Sequence, residues 1–274
     1  MVGKEKMAFI GAGSMAEAIM EGLIKTKKWR ADLITIKNRN NTKRVKELED
    51  KYGVIPASSI EEAVVNADII ILAVKPKDAY SAVESIKPFV QKHQLIISVM
   101  AGIASETLTE WTNQENPVIR AMPNTSASIG YSATALSAGI YATKAHVEKS
   151  LELFKTIGTV TLLPEDKLHI VTGLSGSGPA YIYYIAEAMQ KAAEELNLSQ
   201  EEAKTLITQT FLGAALMLKQ TTESPIELRR KVTSPGGTTE AGICKLDQYH
   251  VQDAFLACIK KAVMRSEELG KMNG

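Results

Sequence analysis

The first part of the chain alternates between short apolar runs and longer segments in which apolar and charged positions recur at helical spacing. Such runs predict β-strands, and the segments between them predict amphipathic α-helices. The run at residues 69–74 is apolar at every position, as is typical of a strand buried on both faces of a parallel sheet. The alternation therefore predicts an α/β domain with helices on both faces of its sheet. The predicted strands are residues 7–10, 33–36, 54–55, 69–74, 95–99, 118–122, 132–136 and 160–163, and the predicted helices are residues 17–25, 42–51, 60–66, 78–90, 105–111 and 144–156.

The pattern changes after residue 164, beyond which the periodic segments predict helices and no segment predicts a strand. We therefore expect an α/β domain at residues 1–164 and an all-α domain at residues 165–274. Residues 181–186 and 211–218 have apolar side chains on almost every face of their predicted helices. These helices must therefore pack against other protein on every side. We predict that this half forms an interlocked dimer, the alternative being cover by the sheet domain and neighbouring helices. The predicted helices of this half are residues 180–196, 199–219, 225–232, 238–247 and 251–269.

The composition of the chain limits the partners, the cellular location and the metal sites that we expect. The chain has 274 residues, 32 basic and 31 acidic, and no basic stripe, so we expect no nucleic-acid partner. The first apolar run is too short for a signal peptide or a membrane span. Cys244 and Cys258 form no C-x-x-C pair, so we expect two buried thiols, a reducing compartment and a cytoplasmic location. The scattered histidines lack metal-ligand spacing, so we predict no metal site.

A glycine-rich turn lies between the first predicted strand and the first predicted helix, with the sequence Gly11-Ala12-Gly13-Ser14-Met15-Ala16. In dinucleotide-binding folds the first glycine allows the tight turn and the second lets the backbone approach a pyrophosphate. A small third residue lets the helix pack closely on the strand. The strand before this motif and the helix after it supply its required context. We therefore expect Gly11, Gly13, Ser14 and Met15 to bind a dinucleotide.

The second predicted strand ends in Lys37-Asn38-Arg39-Asn40, without the carboxylate that usually binds the ribose hydroxyls of NADH. A guanidinium and amides instead suit a 2′-phosphate. We therefore expect Asn38 and Arg39 to bind the cofactor, with NADPH preferred and NADH as the alternative. The competing interpretation is an ordinary solvated loop.

Further candidate residues follow later strands at the same carboxyl edge of the predicted sheet, where ligands of open α/β sheets bind. The apolar fourth strand is followed by Ala73-Val74-Lys75-Pro76, and we expect these four residues to bind the cofactor. Lys75 is expected to face a phosphate or ribose. Asn124 and Thr125 end a later strand and are expected to orient the nicotinamide. The competing interpretation of each segment is a plain turn at the end of a strand.

Two segments of the helical half combine glycine, proline and hydroxyl residues. The first, Ser175-Gly176-Ser177-Gly178-Pro179, opens a long predicted helix and suits close approach of a ligand or a second chain. We expect Ser177 to contribute to substrate binding. The second is Ser234-Pro235-Gly236-Gly237-Thr238-Thr239, a Gly-Gly turn that opens a helix and aims backbone N–H groups at one point. Such a turn attracts an anion such as a carboxylate, although a Pro-Gly turn capping a surface helix is the competing interpretation.

These motifs, in this order, resemble the pyrroline-5-carboxylate reductase family through both halves of the chain. Ser14 stands where many members carry Asn, and Ser126 stands where Pro is usual. Neither departure removes a group that the chemistry needs. The matching segments are residues 9–16, 73–76, 120–125, 176–181 and 232–239, of which the last is the family's most specific signature.

The resemblance implies a Rossmann-type domain, a helical dimerisation and substrate domain, and NAD(P)H-dependent reduction of 1-pyrroline-5-carboxylate to L-proline. It implies that the N–H groups of Gly236, Gly237 and Thr238 bind the substrate carboxylate. Thr239 would hydrogen-bond the ring nitrogen, and Ser234 would close the pocket. The resemblance also implies a homodimer, extended in some members to a ring of dimers, in which the cofactor of one chain meets the Gly-Gly turn of the other.

Three other functions fit parts of the pattern. A β-hydroxyacid dehydrogenase also joins a dinucleotide domain to a helical one, but that family carries a catalytic Lys early in the first long helix. Here the first such residue is Lys191. A reductase of a related cyclic imine would carry the same turns. A non-catalytic dinucleotide sensor would also form the dimer, and it would be distinguished by its lack of turnover.

Overall fold

The computed structural model describes residues 3–273, and these residues contain one sheet of eight strands. The strands are β1 Met7–Ile10, β2 Ile34–Lys37, β3 Ile55–Pro56, β4 Ile69–Leu72, β5 Leu95–Ser98, β6 Val118–Met122, β7 Ser132–Ala138 and β8 Gly158–Leu162. Their order in the sheet is β3-β2-β1-β4-β5-β6-β7-β8. Every predicted strand is confirmed, with small shifts at the ends.

The direction of β7 is the feature of the sheet that the sequence analysis missed. β7 runs antiparallel to β6, whereas the other neighbouring strands are parallel. The segment between β6 and β7 contains only a short 3₁₀ turn, Thr125–Ile129. A parallel crossover needs a dozen or more residues, so this short connection returns the chain antiparallel.

The helices confirm the predicted change from an α/β to an all-α pattern. The helix predicted at residues 78–90 is shorter, since Pro88 lacks the N–H that would continue it, and a 3₁₀ turn at Pro76–Asp78 precedes it. The helices are α1 Ser14–Lys25, α2 Thr42–Tyr52, α3 Ile60–Val65, α4 Ala79–Ile86, α5 Ser105–Thr112, α6 Lys144–Phe154, α7 Leu168–Val171, α8 Gly178–Glu195, α9 Gln200–Gln220, α10 Pro225–Lys231, α11 Thr238–Gln248 and α12 Val251–Asn273.

The central strands are buried on both faces of the sheet. Met7 and Phe9 of β1 belong to one apolar cluster, and the alternating Ala8 and Ile10 belong to a second cluster. The residues of β4 divide between the same two clusters in the same way. Because successive side chains of a strand point to opposite faces, both faces need apolar residues. This explains the continuous apolar runs in the sequence.

The described residues divide into two compact units, residues 3–179 with 261–273, and Ala180–Lys260. Residues 165–179 belong to the sheet unit, and Glu165 bonds to Ser105 of α5 and Arg120 of β6. The division at residue 164 marks where the strands end, and it stays a prediction as a boundary between domains.

The helical unit leaves large apolar side chains exposed. Tyr184 of α8 is 74% exposed and Met217 of α9 is 51% exposed, while Ala203 and Ile207 are the buried apolar residues in this unit's described part. Cys244 and Cys258 are also exposed, so the prediction of buried thiols is wrong for the single chain. Both cysteines lie on helices whose outer faces do not pack against other parts of the same chain. An exposed apolar surface of this kind is typical of a subunit interface.

A partly buried ion pair fastens the segment after residue 164 to the sheet. Arg120 of β6 donates to Glu165 at 2.9 Å, and its side chain is only 7% exposed. The N–H of Ser105 donates to the same carboxylate at 2.7 Å, and the Ser105 hydroxyl also contacts it. Partial burial opposes ionisation of Glu165, but the hydrogen bonds from Ser105 and Arg120 outweigh it and lower the pKa of Glu165 below its ordinary 4.5.

We expect Glu165→Gln to lower the free energy of unfolding by about 3 kcal/mol at neutral pH, because it leaves the charge of Arg120 buried without its partner. The difference should shrink as the pH falls through the depressed pKa of Glu165, where the wild-type carboxylate also becomes neutral. Glu115→Gln is the control, since its pair with Lys92 is exposed and should contribute less than about 0.5 kcal/mol. Urea unfolding at one fixed protein concentration measures both, and equal losses in the two variants would contradict the expectation.

Candidate active site

The carboxyl ends of β1 and β4 border a crevice of about 630 Å³, the nucleotide crevice. These strands are neighbours although β2 and β3 come between them in sequence, so the winding of the sheet reverses here. Ligands of open α/β sheets bind at such a switch point. The charged residues that line the crevice are Lys37, Arg39, Lys75, Lys77 and Asp78. This excess of cations suits a polyanionic nucleotide.

Gly11 lies at the base of the crevice with a φ of +112°, a conformation that favours glycine. Its N–H donates to the carbonyl of Lys37 at 2.9 Å. A Cβ on Gly11 would lie 2.4 Å from the carbonyl oxygen of Ala73. Only glycine therefore lets the end of β1 approach the ends of both β2 and β4.

Gly13 is exposed and caps the N-terminus of α1. A Cβ on Gly13 would meet no protein atom within 4 Å, so the space beside it is open. The first helical hydrogen bond joins the N–H of Glu17 to the carbonyl of Gly13 at 3.0 Å, and the three N–H groups between them point out of the helix end. This arrangement fits a pyrophosphate. Ser14 is exposed here, whereas Met15 packs its side chain on the core, which leaves its backbone N–H for a ligand.

The turn after β2 presents hydrogen-bond donors to the crevice. The Oδ1 of Asn38 accepts the N–H groups of Asn40 at 3.2 Å and Asn41 at 3.0 Å. Because its oxygen is used within the turn, the side chain of Asn38 offers its NH₂ group to a ligand. Arg39 is exposed and lines the crevice. Lys37 donates its ammonium to two backbone carbonyls instead.

The segment after β4 forms the opposite wall. Ala73 and Val74 are partly buried and Lys75 is exposed, and all three line the crevice. Pro76 is not among the lining residues, although Lys77 and Asp78 of the same 3₁₀ turn are. Its fixed φ constrains the backbone just after Lys75.

Asn124 is buried and bonded within the chain. Its Oδ1 accepts the N–H of Ser126 at 3.1 Å, and its Nδ2 donates to the carbonyl of Ser175 at 3.0 Å. These bonds use one N–H and one oxygen lone pair of the amide and leave a second of each for a ligand. Through them Asn124 fastens the end of β6 to the turn before Ser177, and Ser177 lies partly buried at the start of α8. The sequence does not reveal this role, because residues 124 and 175 meet only in the fold.

A tight turn opens α11 in the helical unit. The N–H of Gly237 donates to the carbonyl of Ser234 at 3.0 Å, and Gly236 has a φ of +73° that favours glycine. The first helical hydrogen bond runs from the N–H of Ala241 to the carbonyl of Gly237 at 3.2 Å. The N–H groups of the three residues between them therefore point out of the helix end, as an anion site requires.

Two of the three N–H groups expected to bind a carboxylate are engaged in this conformation. Gly237 donates within the turn, and Gly236 donates to the carboxylate of Glu240 at 2.7 Å. Glu240 is a site residue that the sequence pattern does not reveal, because its contact depends on how the turn folds. The predicted hydroxyl residues of the same turn are exposed: Ser234, Thr238 and Thr239.

Residues 3–273 contain no group of three potential metal ligands. None of the helices described here is both long and apolar enough to cross a bilayer.

Two family descriptions match different parts of the chain. Residues 165–269 match the family described as pyrroline-5-carboxylate reductase dimerisation. Residues 6–102 match the family described as NADP oxidoreductase coenzyme F420-dependent. The second match spans the glycine turn and both walls of the nucleotide crevice, so the sheet unit carries an NADP-binding domain.

Individual proteins of one family are similar to nearly the whole chain. Pyrroline-5-carboxylate reductase 2 of Bacillus subtilis is 45% identical over 97% of this chain and 95% of its own length. The solved reductase of Coxiella burnetii is 36% identical, with a TM-score of 0.89 over 97% of this chain and 99% of that one. The Plasmodium falciparum pyrroline carboxylate reductase, solved with NADP bound, is 27% identical, with a TM-score of 0.88 over 98% of this chain and 100% of that one.

Proposed function

The chain belongs to the pyrroline-5-carboxylate reductase family and reduces 1-pyrroline-5-carboxylate to L-proline, and we propose that it does so with NADPH in the nucleotide crevice and substrate on the Gly-Gly turn. The observation that carries the proposal is that two glycine turns each lie at the start of a helix. One glycine turn opens α1 at the switch point of the sheet, and the other opens α11. Each turn aims free N–H groups at an anion, a pyrophosphate in the first case and a carboxylate in the second.

The residues of the Gly-Gly turn would position the substrate. The N–H of Thr238 at the helix end holds the carboxylate. The N–H of Gly236 joins it when the substrate carboxylate displaces that of Glu240, and Gly237 keeps the turn closed through its bond to Ser234. Thr239 hydrogen-bonds the ring nitrogen, and Ser234 closes the pocket. When bound, NADPH supplies the hydride that reduces the C=N carbon, while the nitrogen ends with a proton. A protonated imine is already electrophilic, so positioning and exclusion of water supply most of the rate.

The preference for NADPH over NADH rests on the turn after β2. Asn38 uses its oxygen internally and presents only donors, and Arg39 lies exposed on the crevice wall. A 2′-phosphate accepts such hydrogen bonds, whereas the ribose hydroxyls of NADH are usually bound by a carboxylate, which this turn lacks. The same residues form no barrier to NADH, which we expect to be the slower cofactor.

The assembly that we propose is a homodimer interlocked through the helical half. The exposed apolar faces of α8 and α9 in one chain and the match to a dimerisation family both support it. In this dimer the crevice of one protomer works with the Gly-Gly turn of its partner, as the family resemblance implies. A larger ring of dimers and a cytoplasmic location stay predictions.

Purified protein given 1-pyrroline-5-carboxylate should oxidise NADPH and form an equal amount of L-proline. Product is measured by chromatography and NADPH by absorbance, with NADH tested alongside. Failure to form proline with either cofactor would reject the function, whereas faster turnover with NADH would reject only the cofactor preference.

Arg39→Ala is expected to raise the KM for NADPH by about tenfold and to change that for NADH by less than about twofold, because only NADPH carries the 2′-phosphate. Arg30→Ala is the matched control, since Arg30 is an exposed arginine that pairs with Asp32 and does not line the crevice. Steady-state kinetics with both cofactors measure the effect. An equal loss with NADH would assign Arg39 a role other than phosphate binding.

A further inference from the structure

Arg44, on the first turn of α2, contacts the glycine turn from behind. Its Nε donates to the carbonyl of Ala12 at 3.3 Å, the residue between the two crevice glycines. A second guanidinium nitrogen pairs with Glu17 of α1. Arg44 is not among the residues that line the crevice, and its side chain is 27% exposed. The guanidinium therefore joins α2, α1 and the glycine turn.

The negative charge of Glu17 disfavours the binding of an anion at the N-terminus of α1. It lies in the first turn of α1, the end that would hold a pyrophosphate. A carboxylate there stabilises the helix when no ligand is bound but repels a bound phosphate. Glu17 also accepts the Lys51 ammonium at 3.0 Å and the Tyr52 hydroxyl at 2.9 Å. Together with Arg44, these groups neutralise and hold the carboxylate.

We propose that Arg44 is a positioning residue for dinucleotide binding: it holds the Ala12 carbonyl and neutralises Glu17, so that the glycine turn meets the pyrophosphate in a fixed conformation without repulsion. The inference rests on the crevice binding a dinucleotide. It gives Arg44 a role different from that of Arg39. The pyrophosphate is common to both cofactors, so Arg44 acts on NADPH and NADH alike, whereas Arg39 discriminates between them.

Direct titration of the nucleotides, followed by their fluorescence without substrate, tests the proposal. Arg44→Met should weaken the binding of NADPH and of NADH about tenfold each. Lys46→Met is the control, because Lys46 lies on the same helix and pairs only with Glu49 and Asp50 on its exposed side. This control should bind both nucleotides within about twofold of wild type.

A double variant separates neutralisation of Glu17 from general damage to the fold. Adding Glu17→Gln to Arg44→Met removes the carboxylate that Lys51 alone would be left to neutralise, and should recover a large part of the lost affinity, to within about threefold of wild type. If Arg44→Met lowers the melting temperature too far for titration, Arg44→Lys replaces it, since lysine keeps the charge beside Glu17 but loses the guanidinium fork.

Three outcomes would overturn the proposal. The first is unchanged affinity for both nucleotides, and the second is a loss confined to NADPH, which would make Arg44 a ligand of the 2′-phosphate. The third is no recovery in the double variant.

If wild-type protein binds both nucleotides but makes no proline, the proposed function fails and this inference stands. If it binds neither, the dinucleotide assignment on which both rest fails.

Discussion

Replacement of Gly11 by alanine is expected to weaken NADPH binding by at least about 100-fold, because the backbone of the glycine turn must move. The added Cβ would lie 2.4 Å from the carbonyl oxygen of Ala73, and the φ of +112° is costly for any residue with a side chain. The displaced turn could no longer aim the N–H groups of α1 at the pyrophosphate. Titration of NADPH with the variant measures the loss.

Gly53→Ala is the matched control for this experiment. Gly53 also has a positive φ, +73°, but it lies in the αL cap of α2, where the nearest atom to an added Cβ is 3.8 Å away. This control should lose about 1 kcal/mol of stability and keep its affinity for NADPH. Tight NADPH binding by Gly11→Ala, or an equal loss in Gly53→Ala, would contradict the assignment of Gly11.

The second large effect that we expect is a loss of catalytic rate on substitution of Thr239. Thr239→Ala should lower kcat by about 100-fold, because it removes a hydroxyl that hydrogen-bonds the reacting nitrogen. The KM for NADPH should stay unchanged, since the nucleotide crevice is untouched. Steady-state kinetics measure both constants, and light scattering checks that the dimer persists.

Two further variants test whether the loss of rate comes from the hydroxyl of Thr239. Thr239→Ser keeps a hydroxyl and should retain most of the rate. Thr210→Ala is the control for loss of a threonine hydroxyl, since that side chain donates to the backbone of its own helix. A kcat for Thr239→Ala within about threefold of wild type would remove this hydroxyl from the mechanism.

The nucleotide crevice was predictable because its main signal is local. The glycine turn has to lie between a strand and a helix, and the sequence shows all three parts in order. Alternating elements then bring the ends of β1 and β4 to one edge of the sheet. Gly11, Gly13 and Arg39 were therefore predicted by residue and lie together in the structure.

The long-range side-chain contacts of the sheet unit were not predictable in this way. Arg44 reaches Ala12 across 32 positions, and Glu165 reaches Arg120 across 45. No periodicity or motif relates such residues, so only the fold reveals them. The partners of Asn124 were missed for the same reason. The prediction of buried cysteines failed on another point, because α11 and α12 leave both thiols exposed in the single chain.

We propose that the nucleotide crevice of one protomer and the Gly-Gly turn of its partner form one active site. Gly13→Val fills the open space beside α1, and Thr239→Ala disables the turn, so each homodimer should be nearly inactive. Subunits of the two variants are mixed and allowed to exchange, and NADPH-dependent proline formation is measured. The claim predicts recovery to about one quarter of wild-type activity, because half the dimers are mixed and each carries one intact site. No recovery above the parent variants, with exchange verified by mass spectrometry, would contradict it.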